Sequence, residues 1–219
     1  MLEFTAINYR DLSEDKSTEI YSLRKKVFKD RLNWEVNCKN NMEFDAYDNE
    51  HTTYIMGVCN EQVVCSLRLI ETRYPTMIIG TFLPFFEKID LPEGNFIEAS
   101  RFFVDKNKIK AFELIRQPVT SMLYLAVINY CLSMRYKGIY AIVSHAMYTI
   151  IKRSGWEISI IEQGISEKRQ RVYLIHLPVD CKNQHVLFDG IHGKSQMDTF
   201  DFTGWPLAFA SQRDRLDKL

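Results

Sequence analysis

From Val119 to Met134 the chain carries no charged residue: Met, Leu, Val, Ile, Tyr and Cys fill most positions, and Pro118 stands immediately before the run. Proline suits a first helical turn, where its missing N–H costs nothing, and Lys137-Gly138 supplies a stop. A helix that is apolar around its circumference has no face for water, so the segment to Arg135 is expected to lie buried against a β-sheet. The flanking text supplies one. Thr52–Val58 and Gln62–Glu71 are rich in β-branched and apolar residues, with Asn60-Glu61 as a short hairpin connection. Further strand-like runs fall at 95–104, 139–144, 156–162 and 171–177, and a short helix at 146–153 ends before Gly155. A first helix capped by Ser17 places Ile20, Leu23, Val27 and Phe28 on one stripe. Helix, hairpin, strand, helix, strand, helix, strands is an α/β order without regular alternation, and it predicts a mixed sheet flanked by helices. Residues beyond Asp180 yield no element.

A length of 219 residues predicts one domain, 1–219. The 28 basic and 28 acidic residues balance, which argues against bulk binding to nucleic acid. Cys38, Cys59, Cys65, Cys131 and Cys181 are odd in number and lack CxxC spacing, so reduced thiols and a cytoplasmic location are expected. The start Met1-Leu2-Glu3-Phe4 has no basic stretch before an apolar core, and no run of about 18 apolar residues occurs, so neither export nor a membrane span is expected.

Against this background three places stand out: Glu43 to Asp48, Arg68 inside an apolar run, and Glu98 to Asp105. A buried charge costs several kcal/mol unless it is paired, so an Arg or Glu written into a strand is there for a partner or a ligand. Arg24, Arg68 and Arg101 come from separate elements, and planar guanidinium groups suit bidentate pairing with Glu43, Asp45 and Asp48. Such a network is either structural alone or a grip for a substrate bearing both an amine and a carboxylate. The acidic cluster lacks the glycine and terminal Glu of a calcium loop, so no metal is expected.

Other chemistries find little support. No G-x-S-x-G occurs, the histidines show no paired spacing with Cys or Ser, and the helix start at Arg116–Ser121 has no glycines for a phosphate loop. Met122, Val127, Ala141, Val143, Met147 and Leu177 read first as core, although an acyl tunnel would use the same residue types. Lys152, Arg153, Lys168, Arg169 and Arg171 form a basic excess that reads as a solvated face or a dock for an acidic partner.

Taken in order, Arg24, Phe28, Trp34, Glu43, Asp45, Asp48, Arg68, Glu98 and Arg101 resemble the signature of the LuxI-type acyl-homoserine lactone synthases. The resemblance runs from about Leu23 to about Pro178 and includes the phrases Phe28-Lys29-Asp30-Arg31-Leu32-Asn33-Trp34 and Ser100-Arg101-Phe102-Phe103-Val104-Asp105. It implies a three-layer αβα sandwich similar to the GCN5-type N-acetyltransferases. It also implies a cytosolic enzyme, without a cofactor, that acylates the amine of S-adenosylmethionine from acyl carrier protein. Lactone closure then expels methylthioadenosine and yields a quorum-sensing signal; the alternative is a coenzyme A-dependent N-acyltransferase of the same fold.

On this resemblance Glu98 is the expected general base and Glu43 the second choice, with backbone donors from Ser100 onward facing the thioester oxyanion. Arg24, Asp45, Asp48, Arg68 and Arg101 are expected to shape the substrate pocket, with Phe28 and Trp34 over the adenosyl end and the sulfonium. Val127, Ala141, Val143, Met147 and Leu177 would line the acyl slot, and the five basic residues would dock the acidic carrier. Family members that select 3-oxo chains often place Thr at the position of Ala141, so an unsubstituted or mixed chain of around six to eight carbons is expected.

Overall fold

The computed structural model describes residues 1–192 and 205–207; the remainder of the 1–219 expectation lies outside the described residues. Nine strands are described: β1 (Leu2–Asn8), β2 (Cys38–Lys39), β3 (Met42–Glu43), β4 (Thr52–Cys59), β5 (Gln62–Glu71), β6 (Phe96–Val104), β7 (Gly138–Ser144), β8 (Ser159–Ile165) and β9 (Arg171–Pro178). The helices are α1 (Glu14–Arg24), α2 (Met77–Gly80), α3 (Lys106–Ala111), α4 (Val119–Ser133), α5 (His145–Arg153) and α6 (Cys181–His192). Seven strands form one mixed sheet in the order β1-β4-β5-β6-β7-β9-β8, and β2 and β3 make a separate short pair.

Strand alternation sorts the sheet into two faces. Ile55, Cys65, Leu67, Leu69, Ile97, Ile139, Ala141 and Val143 point to the side covered by α4, with Ile151 of α5 and Leu187 of α6 in the same buried cluster. Tyr54, Met56, Val63 and Phe103 point the other way, onto Ile20, Leu23, Val27 and Phe28. Helices on both faces make the expected three layers. β5 is buried along both faces from Val63 to Ile70, which explains its unbroken apolar text and isolates Arg68 within it.

Two departures from regular pairing position the site. β6 and β7 run parallel, but their ladder is three pairs long, from Phe96↔Gly138 to Glu98↔Tyr140, so the sheet opens beyond Glu98. Between Ser66↔Phe103 and Arg68↔Ser100, Leu67 faces both Arg101 and Phe102, which is a β-bulge. Arg101 sits there with a positive φ, in the left-handed region that a bulky side chain rarely adopts.

The sequence expectations need amendment at several points. The cap of α1 is Ser13, whose Oγ accepts from Lys16 N–H, while Ser17 lies inside the helix and bonds back to the Glu14 carbonyl. The helix then continues as a wider π-helical stretch, Lys25–Arg31. β1 and α6 went unread, as did the short elements α2, α3, β2 and β3: β1 is a half-exposed edge strand with weak alternation, and α6 carries Gly190 and four polar residues, Lys182 to His185, in its first turns. β8 starts at Ser159 because Trp156 turns into the core and donates Nε1–H to the Pro178 carbonyl.

Candidate active site

Cross-strand register builds the floor of the site. Tyr54 pairs with Arg68 and Arg68 with Ser100, so one row of three polar side chains crosses β4, β5 and β6 on the α1 side, with Glu98 two residues further along the same face. The bulge adds Arg101 to this row, since Ser100 and Arg101, adjacent in sequence, both reach the same network. Regular alternation would have sent Arg101 to the α4 side. Arg24, at the end of α1, and the turn from Asp45 to Asp48, closed by Asp48 N–H on the Asp45 carbonyl, complete the walls.

The resulting ion-pair network is closed. Arg24 donates Nε to Glu43 at 2.5 Å and both terminal nitrogens to Asp48 at 2.7 and 2.9 Å. Arg68 grips Asp45 at 2.6 and 3.2 Å and donates Nε to Ser100 Oγ at 3.1 Å. Arg101 reaches Glu43 at 2.9 Å, Asp45 at 2.7 Å and Met77 Sδ at 3.2 Å. Three guanidinium charges meet three carboxylates, so the set is neutral, and bidentate geometry offsets the desolvation of burying it. Burial opposes ionisation of Asp48, but the neighbouring Arg24 and Arg68 charges outweigh it and hold this carboxyl well below its usual range. Tyr54 O–H donates to Asp48 at 2.7 Å, and Tyr21 lies 3.2 Å beyond.

Access within the network is uneven. Arg24, Arg68, Glu43 and Asp48 are almost fully buried, whereas Asp45 and Arg101 keep 10% and 8% of their side chains exposed. These two form its open edge. Phe28 is only 2% exposed; it stacks on Trp34 at 5.2 Å, with the Arg101 guanidinium 5.7 Å from its ring. Trp34 is 41% exposed, so of the two aromatics it presents the free surface.

Glu98 is buried apart from the network's direct ion pairs. Its carboxylate accepts from the N–H groups of Ile78 at 2.8 Å and Met77 at 3.3 Å, at the start of α2. Burial raises its pKa above the ordinary 4.5, against the pull of those two N–H groups and of Arg68. Each oxygen retains acceptor capacity, which a carboxylate must have to take a proton. Glu43, by contrast, is engaged by Arg24 on one oxygen and Arg101 on the other.

The expected acyl-slot residues also come together. Met122, Val127, Ala141, Val143 and Leu177 lie in the α4-side cluster, with Met147 packed against it. The basic set divides instead. Lys168, Arg169 and Arg171 sit on the β8–β9 hairpin, where Lys168 donates to the Asn33 carbonyl beside Trp34. Lys152 and Arg153 end α5, which starts beside Val172 and runs back toward Pro178, so the length of that helix separates them from the hairpin. Clefts of about 340 and 940 Å³ elsewhere on the surface are lined by none of the network residues. Tyr21, Tyr54, Met77 and the Ile78 N–H were missed in the sequence; only Tyr54 left a signal, as the hairpin partner of Arg68.

Fold and site together define an acyltransferase scaffold: an opened mixed sheet beside a polar grip on one face and an apolar cluster on the other. The autoinducer synthase family model matches residues 8–187. An acyl-homoserine-lactone synthase from Pectobacterium parmentieri is 56% identical over 209 residues, covering 95% of this chain and 96% of that protein. The solved structure of a CoA-dependent acyl-homoserine lactone synthase, BjaI, with SAM and isopentyl-CoA superposes with a TM-score of 0.77 at 22% identity, covering 94% of this chain and 99% of that one. An acyl-CoA N-acyltransferase from Pseudomonas aeruginosa shares the fold at a TM-score of 0.55 and 13% identity, covering 80% of this chain and 99% of its own. The chain belongs to the autoinducer synthase family, and its activity is that of an acyl-homoserine-lactone synthase, an acyltransferase. Among the described residues no helix is long and apolar enough to cross a membrane, and no group of His, Cys, Asp and Glu is arranged to hold a metal ion.

Proposed function

We propose that the chain transfers an acyl group from acyl carrier protein to the α-amine of S-adenosylmethionine and then closes the lactone with release of methylthioadenosine. The observation that carries this reading is the neutral Arg–carboxylate network whose open edge offers one anion, Asp45, and one cation, Arg101. That edge suits a zwitterionic amino acid: the ammonium faces Asp45, the carboxylate faces Arg101, and Trp34 lies against the sulfonium by cation–π contact. Arg24, Glu43, Asp48 and Arg68 hold the edge in place from behind, and Phe28 supports Trp34.

Acylation requires a neutral amine. A group of this class has a pKa of about 8, so a tenth of it is neutral near pH 7, and a weak base suffices. Glu98 fills that role better than Glu43, because its raised pKa brings it closer to the amine it must deprotonate and its oxygens are not held by guanidinium. The bulge leaves backbone donors after Ser100 outside the regular ladder, at the point where β6 and β7 part, and these stabilise the thioester oxyanion. Ring closure is intramolecular: the methionyl carboxylate attacks its own γ-carbon, the C–S bond breaks, and the electron pair neutralises the sulfonium. Orientation supplies most of what that step needs.

Acyl carrier protein is favoured as donor because Lys168, Arg169 and Arg171 stand on the hairpin that touches the Trp34 loop, beside the opened sheet, where an acidic carrier would dock. Reversing these three charges should raise KM for hexanoyl carrier protein about tenfold and leave kcat unchanged. A higher kcat/KM for hexanoyl-CoA than for the carrier-bound chain would instead favour coenzyme A as the donor.

A further inference from the structure

The cluster that would form the acyl slot contains a hydroxyl without a partner. Tyr124, on α4, is 4% exposed, and among the described residues its O–H makes no hydrogen bond. Its neighbours in the same cluster solve this problem: Tyr173 O–H lies 3.1 Å from His145 Nδ1, and Tyr136 pairs with Glu71. A phenylalanine would fill the volume of Tyr124 with no polar atom to bury, so the hydroxyl there is unexplained by packing.

Its position supplies the explanation. The Tyr124 ring lies 5.6 Å from Phe102, at the bulge on β6, and 6.0 Å from Trp156, beside the end of β9. With neighbours on β6 and beside β9, it lies over the face of β7 between them, on which Ile139, Ala141 and Val143 point toward α4. Ala141 is the smallest of those three, and Val127 lies one helical turn beyond Tyr124 on α4. Burial raises the phenol above its ordinary 10, so it stays protonated and able to donate. With the other buried tyrosine hydroxyls of the cluster already paired, a single unpaired donor selects for a single acceptor on the chain that enters. The 3-oxo and 3-hydroxy acyl chains of fatty-acid synthesis carry a second oxygen on the third carbon, which fully reduced chains lack, whereas the thioester oxygen is served by the backbone at the bulge.

We propose that the Tyr124 hydroxyl is a specificity-determining donor that selects acyl chains oxygenated at the third carbon, a task for which Ala141 has no hydroxyl. This rests on the lactone synthase reading and revises the expectation of an unsubstituted chain drawn from Ala141 alone. The test compares kcat/KM for 3-oxohexanoyl and hexanoyl carrier protein in the full-length enzyme and in Tyr124→Phe, following methylthioadenosine, with thermal unfolding of both proteins. The unaltered enzyme should prefer the 3-oxo chain about tenfold or more, and Tyr124→Phe should lose about tenfold of that preference while its melting temperature holds or rises. A preference for hexanoyl, an unchanged ratio in Tyr124→Phe, or a lowered melting temperature that marks the hydroxyl as part of the fold would each overturn the proposal while leaving the synthase reading intact. No methylthioadenosine from either donor would overturn both.

Discussion

Two glutamates close in space meet opposite fates. Glu43 has a guanidinium on each oxygen, while Glu98 has backbone N–H groups and the Thr76 hydroxyl but no guanidinium, and burial lifts its pKa above 4.5. The sign for stability follows: the folded chain binds this proton more tightly than the unfolded one, so the stabilisation is full below 4.5 and is lost as pH rises through the raised value. For activity the direction reverses, since a base works only when deprotonated. The acid limb of kcat should therefore have its midpoint above 4.5, and Glu98→Gln should lower kcat about 10²- to 10⁴-fold while the circular dichroism spectrum stays native. Retained activity with the same limb in Glu98→Gln would remove Glu98 from the mechanism.

Among the elements, the β4–β5 hairpin shows what local sequence specifies. Its turn residues Asn60 and Glu61 both take a positive φ, as a two-residue hairpin loop of the favoured twist requires. Asn tolerates this conformation and Glu does not, so Glu61→Gly should stabilise the fold by about 1 kcal/mol, read as a shift in the urea midpoint at constant slope. The turn, the apolar α4 and the buried β5 were legible because each advertises itself in a few adjacent residues. The bulge at Arg101 was not, because it is defined by what Leu67 faces across the sheet rather than by anything in Ser100-Arg101-Phe102. The same holds for the network: the six charged residues announced that they need partners, but which Arg meets which carboxylate depends on the π-helical continuation of α1 and on the turn at Asp45. The division of the basic residues was equally invisible, since it follows from the direction in which α5 runs.

At the scale of the whole molecule, one sheet separates two chemistries. The face under α1 holds a neutral polar lattice with an open edge at Asp45 and Arg101, and the face under α4 holds the apolar cluster. They meet where β6 leaves β7 after Glu98↔Tyr140, and the proposed mechanism brings an amine held on one side and a thioester entering from the other together there. The most direct measurement of this account is methylthioadenosine release by the purified protein supplied with S-adenosylmethionine and carrier protein loaded with six- or eight-carbon chains, with the lactone weighed by mass spectrometry. The account predicts one methylthioadenosine for each acyl-homoserine lactone formed, and loss of both on replacing Asp45 by Ala. Acylation without methylthioadenosine release, or full turnover in Asp45→Ala, would contradict it.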